Sequence, residues 1–113
     1  GATYISDGGA ITNSNLVQSL TKSYVFFDGT AGTPTAADSF NHSSITDSST
    51  GNYRNVFTNT MANQNFSGSG FANNKNTGDG AHNTSYLQLE TANNSFQSAD
   101  TNRVECMVAG DLA

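Results

Sequence analysis

The sequence has one cysteine, one proline and no tryptophan among its 113 residues. A single cysteine excludes an internal disulfide framework and the paired thiolates of a C-x-x-C metal or redox site. Only four residues are Lys or Arg, against nine Asp or Glu, so the basic surface of a nucleic-acid-binding protein is absent. No apolar run approaches the roughly 18 residues that a membrane span needs, and membrane insertion is therefore not expected.

Large apolar side chains are also scarce, since Leu, Ile, Val and Phe together occupy only 20 positions. Such a fraction would indicate disorder in a strongly charged chain, but here 12% of the residues are charged and the formal net charge is −5. We therefore predict an ordered domain with a thin core. Because a monomer of this size buries only about two-thirds of its unfolded surface, part of its stability is expected to come from other copies of the same chain.

Small polar residues dominate what is present, with 15 Asn, 14 Ser and 14 Thr in 43 of the 113 positions. Together with seven Phe and four Tyr, they suit exposed strand faces, turns and an aromatic core. About six short apolar runs, separated by turn-forming residues, predict an all-β fold. The expected architecture is a small antiparallel β-sandwich or roll of about six short strands, assembled as a homotrimer.

The chain is long enough for one small domain. We predict that residues 1–22 form a connecting segment that contains a short helix, with Asn13 or Ser14 as its N-cap. Residues 23–113 are predicted to form the β-rich domain itself.

Three runs give the clearest strand patterns: SYVFFDG, SYLQLET and RVECMVAG. In the second run Leu87 and Leu89 alternate with polar residues, as expected for a strand with one buried face. Cys106 lies in the third run and is predicted to be a buried free thiol. Around Phe66 and Phe71, alternating Gly and Ser predict a strand that allows close approach of another backbone.

The stretch SFNHSSITDSSTGNYRNVFT, residues 39–58, predicts a β-hairpin. Its arms, residues 39–46 and 53–59, flank a loop of about six residues that is rich in Ser and Gly. We expect four side chains to carry the packing of this hairpin: Phe40, Ile45, Tyr53 and Phe57.

Two polar residues of the hairpin, His42 and Asn55, fall where apolar side chains would be expected. Asn55 is in phase with Tyr53 and Phe57, because side chains alternate between the two faces of a strand. We predict that His42 and Asn55 face a subunit interface or solvent, and that they do not mark a catalytic pocket.

No pattern in the sequence marks a catalytic or metal centre. The two histidines belong to no H-x-H or H-E-x-x-H motif, and the run NNKNTGDGAHNTS departs from the EF-hand spacing. The acidic residues lie mostly in turns, where Asp ordinarily bonds nearby backbone N–H groups, and no pair is marked for glycoside hydrolysis. A G-x-S-x-G motif is also missing. We therefore expect no enzymatic activity, no cofactor and no metal.

The polar run between residues 73 and 83 is predicted to be a loop and is our candidate for receptor binding. Its side chains offer adaptable hydrogen bonding with little net charge, as binding loops often do, and they suit carbohydrate hydroxyls. The candidate receptor-binding residues are Asn73, Asn74, Lys75, Asn76, Asp79 and His82.

Three pieces of the chain, SLTKSYVFFDGTAGT, DSFNHSSITDSSTGNYRNVFTNTMANQNF and NRVECMVAGDLA, resemble a domain that recurs in tail fibre proteins of tailed bacteriophages, many from marine and cyanobacterial hosts. The most specific part is SSITD-x-x-TG-x-Y. The family carries Val at the position of His42 and YTVNFT where this chain has YRNVFT. The resemblance implies a homotrimeric virion component at or near the outer end of a fibre, and it brings no catalytic motif.

These observations leave three functions open. The first is a non-enzymatic tail fibre domain that attaches the virion to a glycan or protein of the host surface, with other copies of itself and other virion proteins as partners. The second is a structural virion protein, such as a decoration trimer on the capsid surface or a fibre connector. The third, a glycan-cleaving enzyme of tailspike type, ranks last because no carboxylate pair is marked and no β-helix repeat is visible.

Overall fold

The structure, a computed structural model, describes residues 20–113. The helix predicted after Asn13 or Ser14 lies outside these residues. Residues 20–113 form eight strands and no helix, so the expected number of about six strands is too low. The strands are β1 (Thr21–Phe27), β2 (Ala36–Phe40), β3 (Ser44–Ser49), β4 (Asn52–Val56), β5 (Ser67–Ala72), β6 (Asn76–Asn83), β7 (Tyr86–Ala92) and β8 (Val104–Ala109).

The eight strands form two four-stranded sheets. Sheet A has the order β2-β1-β8-β5, and sheet B has the order β3-β4-β7-β6. Every pair of neighbouring strands is antiparallel. The two sheets bury their facing side chains against each other, which confirms the predicted all-β sandwich.

The core lies between the sheets and takes alternate residues from the central strands. Val104, Cys106 and Val108 face inward from β8, and Leu87 and Leu89 face inward from β7. Both strand patterns predicted from the sequence are therefore confirmed. Burial of each aliphatic side chain of this kind stabilises the fold by about 1.5–3 kcal/mol.

Aromatic rings extend the core along the length of the sandwich. The rings of Phe27 and Tyr53 meet edge to face across the sheets, with centroids 5.1 Å apart. Phe57 and Phe66 repeat this geometry at 5.8 Å. Edge-to-face pairs contribute about 0.5–1.5 kcal/mol beyond the burial of their area, so a core poor in aliphatic residues gains part of its stability here.

Glycines on β5 let the two sheets come close together. A Cβ atom at Gly68 would lie 2.6 Å from Cδ2 of Leu87, and one at Gly70 would lie 2.5 Å from Cδ1 of Leu89. Real side chains do not approach so closely, so the leucines of sheet B occupy the space that a side chain on β5 would need. The glycine-rich run is a strand, as predicted, but its glycines make room for leucine side chains and not for another backbone.

The predicted first arm of the hairpin is wrong, because residues 39–46 divide between the two sheets. Strand β2 ends at Phe40 in sheet A, and β3 begins at Ser44 in sheet B. Between them Asn41 adopts a left-handed φ of 48°. Its amide donates to the carbonyl oxygens of Lys22 (2.9 Å) and Asn59 (3.1 Å), and its Oδ1 accepts the Asn59 N–H at 2.7 Å. These bonds fix the crossing from one sheet to the other.

The hairpin that does form joins β3 to β4. Ser49 pairs with Asn52, so Thr50 and Gly51 make a turn much tighter than the predicted loop of about six residues. Tyr53 and Phe57 are buried and Ile45 is packed against the core, as predicted. Phe40 is not a core residue, because it lies on the outer face of sheet A beside Tyr24 and is half exposed.

Cys106 is a buried free thiol, as predicted. Burial raises the pKa of this thiol from 9.0 to about 12, because a thiolate would lose its hydration inside the sandwich. A raised pKa keeps the folded thiol protonated. The free energy of unfolding is therefore unaffected by this group below pH 9 and falls as the pH rises from 9 to about 12, by up to about 1.4 kcal/mol per pH unit.

We expect folded protein to resist alkylation of Cys106 by iodoacetamide at about pH 8, whereas urea-unfolded protein should react readily, since the exposed thiolate is the nucleophile. Mass spectrometry of timed samples measures both rates. In urea titrations, a Cys106→Ala variant should lose less stability than wild type between about pH 8 and about pH 10. Labelling of the folded chain at the rate of the unfolded chain would contradict this burial.

Candidate functional site

A cleft opens where the last strands of the two sheets lie side by side. Strand β5 ends sheet A and β6 ends sheet B, and the two are not paired with each other in the sheet ladders. One direct contact between them is the hydrogen bond that the Thr77 hydroxyl donates to the carbonyl oxygen of Gly70, at 3.1 Å. Beside this contact lies a cleft of about 310 Å³.

The cleft combines an apolar floor with a polar rim. Leu87 and Leu89 of β7 form the floor and pack directly against the glycines of β5. Phe66 closes one end. The residues that line the cleft are Phe66, Gly68, Ser69, Gly70, Thr77, Gly78, Asp79, His82, Leu87, Gln88 and Leu89.

A bulge in β6 brings Asp79 and His82 to the cleft. Asp79 pairs with Leu89 and His82 pairs with Leu87, so three steps along β6 match two steps along β7. Directly paired residues of neighbouring strands share a face of the sheet. The extra residue therefore places both polar side chains on the side of the leucine floor, where an unbulged strand would present Ala81 in place of His82.

The His82 ring is held by contacts on both of its nitrogens. Nδ1 lies 3.0 Å from Oδ2 of Asp79, and Nε2 lies 3.2 Å from the carbonyl oxygen of Gln64. The ring also packs against Phe66, with centroids 4.9 Å apart. Both neighbours are acceptors, so an imidazolium donates to both and a neutral ring donates to one.

This arrangement suits recognition better than nucleophilic chemistry. In a catalytic triad one ring nitrogen faces the nucleophile and the other faces the carboxylate. Here the nitrogen opposite Asp79 is engaged by the Gln64 carbonyl oxygen, so His82 and Ser69 do not form an activated pair. The cleft instead presents a carboxylate and two hydroxyl groups, those of Ser69 and Thr77, to a ligand, while His82 holds the Asp79 carboxylate in place.

The predicted loop over residues 73–83 is wrong for most of its length, because Asn76–Asn83 is strand β6. This strand has no apolar alternation, since it lies at a sheet edge and its side chains are mostly exposed. Backbone pairing with β7 holds it in place. Only Asn73, Asn74 and Lys75 form a turn, which connects β5 to β6.

The six candidate receptor-binding residues therefore separate into two groups. Asp79 and His82 line the cleft, whereas the four residues Asn73 to Asn76 do not. Asn73 bonds Asn102, and the Asn76 amide donates to the carbonyl oxygen of Asn93 at 3.2 Å. These contacts anchor the turn to the neighbouring loops.

Sequence reasoning missed Gln64 and Thr77 as members of this site. Gln64 acts through its backbone carbonyl, which every residue possesses, so no sequence signal marks it. Thr77 is one of 14 threonines, and only the sheet topology reveals that its hydroxyl reaches Gly70.

The prediction that Asn55 faces a subunit interface or solvent is wrong. Asn55 is buried between the sheets, in phase with the core residues of β4, and His42 beside it is half-buried. His42 Nδ1 donates to Oδ1 of Asn55 at 2.7 Å, and Asn55 Nδ2 donates to the Ser23 hydroxyl at 3.0 Å. That hydroxyl donates to the carbonyl oxygen of Asn41. A continuous chain of bonds thus compensates the burial of these polar groups.

Gly51 and Tyr53, which belong to the run SSITD-x-x-TG-x-Y, form a structural cluster with Asp100 at one end of the sandwich. The hydroxyl of Tyr53 lies 2.8 Å from the carbonyl oxygen of Gly29 and 2.5 Å from Oδ1 of Asp100, and the Gly51 N–H donates to the same oxygen at 2.8 Å. Burial, reinforced by Asp100, raises the pKa of Tyr53. We call this the Gly51–Tyr53–Asp100 cluster, and its bonds tie three separate loops together.

Within residues 20–113 no three His, Cys, Asp or Glu side chains are grouped so as to hold a metal ion. The same part of the chain contains no helix long and apolar enough to cross a membrane. Comparison with protein-family models, with curated proteins and with solved structures finds no significant match to this chain.

Proposed function

We propose that the protein is a non-enzymatic virion component, a tail fibre domain that attaches a phage to its host surface through the cleft between β5 and β6. The tail fibre resemblance of the sequence supports the virion assignment. The observation that carries the attachment role is the meeting of Asp79 and His82 over an apolar floor in an open cleft.

The chemistry of the cleft favours a saccharide as the receptor group. A sugar ring presents hydroxyls that donate and accept hydrogen bonds and also apolar C–H faces. The rim offers the Thr77 hydroxyl and the Asp79 carboxylate, which His82 holds in place. Phe66 and the small exposed parts of Leu87 and Leu89 offer an apolar surface. A cleft of about 310 Å³ lies in the size range of small-molecule sites.

Several copies of one weak site suit attachment to a surface that repeats its receptor. Binding of a second cleft becomes intramolecular once the first is engaged, so overall avidity can exceed the affinity of one site by ~10²–10⁴-fold. A homotrimer presents three such clefts in one rigid body. Trimeric assembly therefore belongs to this proposal.

The test is competition with phage adsorption. Purified wild-type protein should bind host cells and block adsorption, and His82→Ala should do so about tenfold less well, a loss near 1.4 kcal/mol. Lys75→Ala is the matched control, because Lys75 belongs to the predicted site but lies on the turn outside the cleft. It should compete like wild type.

Three outcomes of this experiment would contradict the proposal. Wild-type protein that neither binds host cells nor blocks adsorption removes the attachment role. A folded His82→Ala variant that competes as well as wild type shows that the cleft is not the receptor-binding site. Release of reducing sugar from host polysaccharide by the purified protein would show that the protein is an enzyme.

A structural virion protein is the second candidate, as a decoration trimer on the capsid or as a connector within a fibre. The observation in its favour is the large apolar surface on the outside of sheet A, where Phe40, Phe71 and Met107 are exposed. Such a surface is typical of a contact between proteins.

A further inference from the structure

The outer face of sheet A carries large apolar side chains that no other part of residues 20–113 covers. Tyr24 pairs with Phe40 on one side and with Met107 on the other, which makes one row across three strands. Phe71 stands in the next row, opposite Glu105. Phe40 is 52% exposed, Met107 51% and Phe71 74%.

Phe40 lies on this face because of the register of β2. Its partner Tyr24 points outward from β1, and paired residues share a face. The rings of Phe40 and Tyr24 stack with centroids 6.4 Å apart and planes inclined by 22°. The sequence analysis expects Phe40 to carry packing. In the structure its ring lies on the outside of the sandwich, where it contacts Tyr24 and not the core.

Charged groups border the apolar rows. The Arg103 guanidinium lies over the Phe26 ring, 4.3 Å from its centroid, and bonds Glu105 at 3.2 Å. Asp38 pairs with Phe26 on the other side. A groove of about 490 Å³ runs between these groups and the apolar rows.

We propose that this face is the contact through which copies of the chain assemble. Aromatic residues, Met and Arg are the side chains enriched at the centres of protein interfaces. They are also the side chains that make up this face, namely Tyr24, Phe26, Phe40, Phe71, Arg103 and Met107.

The charges of the face fit a second copy of the same chain. One face supplies both an arginine and two carboxylates, Asp38 and Glu105. Identical faces that meet around a symmetry axis can therefore place Arg103 of one copy against a carboxylate of the next. A partner with a surface of one charge sign would match this mixed rim less well.

The small number of buried apolar residues gives an energetic reason for assembly through this face. Ten hydrophobic residues are buried among those described, whereas Phe40, Phe71 and Met107 remain outside. Covering such side chains removes apolar area from water, which stabilises the assembly relative to the separated chains. The inference is independent of the receptor cleft.

Sedimentation equilibrium or light scattering on the full chain tests the proposal. Wild type should show a mass that is a multiple of 11.8 kDa, three times that value for a homotrimer. Met107→Lys and Phe71→Lys should each return the mass to that of the monomer at the same concentration, because a lysine charge would be buried in the contact. Both residues are exposed in the single chain, so folding should be retained, which circular dichroism checks.

Phe96→Lys is the matched control. Phe96 is even more exposed, at 82%, but it lies in the turn that follows β7 and not on the face. This variant should keep the mass of wild type. A wild-type chain that stays monomeric at every concentration overturns the proposal, and so does an assembly that Met107→Lys and Phe71→Lys leave intact. Loss of host-cell binding by these variants without a change in mass overturns it too, by assigning the face to a foreign ligand.

Discussion

A Gly51→Val variant is expected to lose about 4 kcal/mol or more of unfolding free energy, a large part of the ~5–15 kcal/mol that holds a domain of this kind folded. Gly51 has a φ of +72°, which a β-branched residue adopts only with strain. A Cβ atom there would also collide with the carbonyl oxygen of Thr91 and lie 2.9 Å from the backbone nitrogen of Ala99. Backbone atoms within a sheet cannot move aside as a flexible side chain can.

The collision would also break the bonds that Gly51 makes. Its carbonyl oxygen accepts the N–H of Thr91 at 2.8 Å, and its own N–H donates to Asp100 at 2.8 Å. Gly32→Val is the matched control, since no atom lies within 4 Å of a Cβ placed at Gly32. Urea unfolding followed by circular dichroism measures both. Equal midpoints for the two variants would show that the turn tolerates a side chain.

A Tyr53→Phe variant is expected to lose about 2–3 kcal/mol, the cost of removing a buried hydrogen bond to a charged group. The ring would stay packed on Phe27, but the carbonyl oxygen of Gly29 and the carboxylate of Asp100 would lose the hydroxyl. Tyr86→Phe is the control, because that half-buried ring stacks beneath Arg54 and the ring itself is kept.

The pH dependence of the same variant has a defined sign. Because burial raises the pKa of Tyr53 above its ordinary value of 10.0, the folded state keeps the phenol protonated when the unfolded state ionises. The contribution of this group is complete below pH 10 and is lost as the pH rises further. Wild type should therefore lose more stability above pH 10 than Tyr53→Phe does.

Identical urea midpoints for Tyr53→Phe and Tyr86→Phe at neutral pH would contradict the role of the Gly51–Tyr53–Asp100 cluster.

Strands with one buried face could be predicted from the sequence. In β7 and β8 the apolar residues alternate with polar ones, and this alternation matches the burial of Leu87, Leu89 and Cys106. Strand β6 could not be predicted in this way. It is exposed along most of its length at a sheet edge, so its residues carry no apolar period and resemble a loop.

The crossing between β2 and β3 also leaves no sequence signal. Asn41 turns the chain from sheet A to sheet B by bonding Lys22 and Asn59, which lie 19 and 18 residues away. Such bonds depend on the tertiary structure. A hairpin predicted from local turn residues therefore merged two strands of different sheets into one arm.

The candidate site could be predicted in part. Asp79 and His82 were identified by their side-chain chemistry, but their meeting depends on the bulge in β6, which no local pattern marks. For Asn55 the alternation of β4 points inward, and the prediction that it faces a subunit interface or solvent is wrong. His42 and Ser23 supply the bonds that make its burial tolerable.

The measurement that tests the proposed role most directly is the location of this chain in a reconstruction of the whole virion. We expect it at the outer end of a fibre, as three copies with the outer faces of sheet A in contact and the clefts beside His82 open to solvent. A position on the head lattice would contradict the attachment role and assign the protein to capsid decoration.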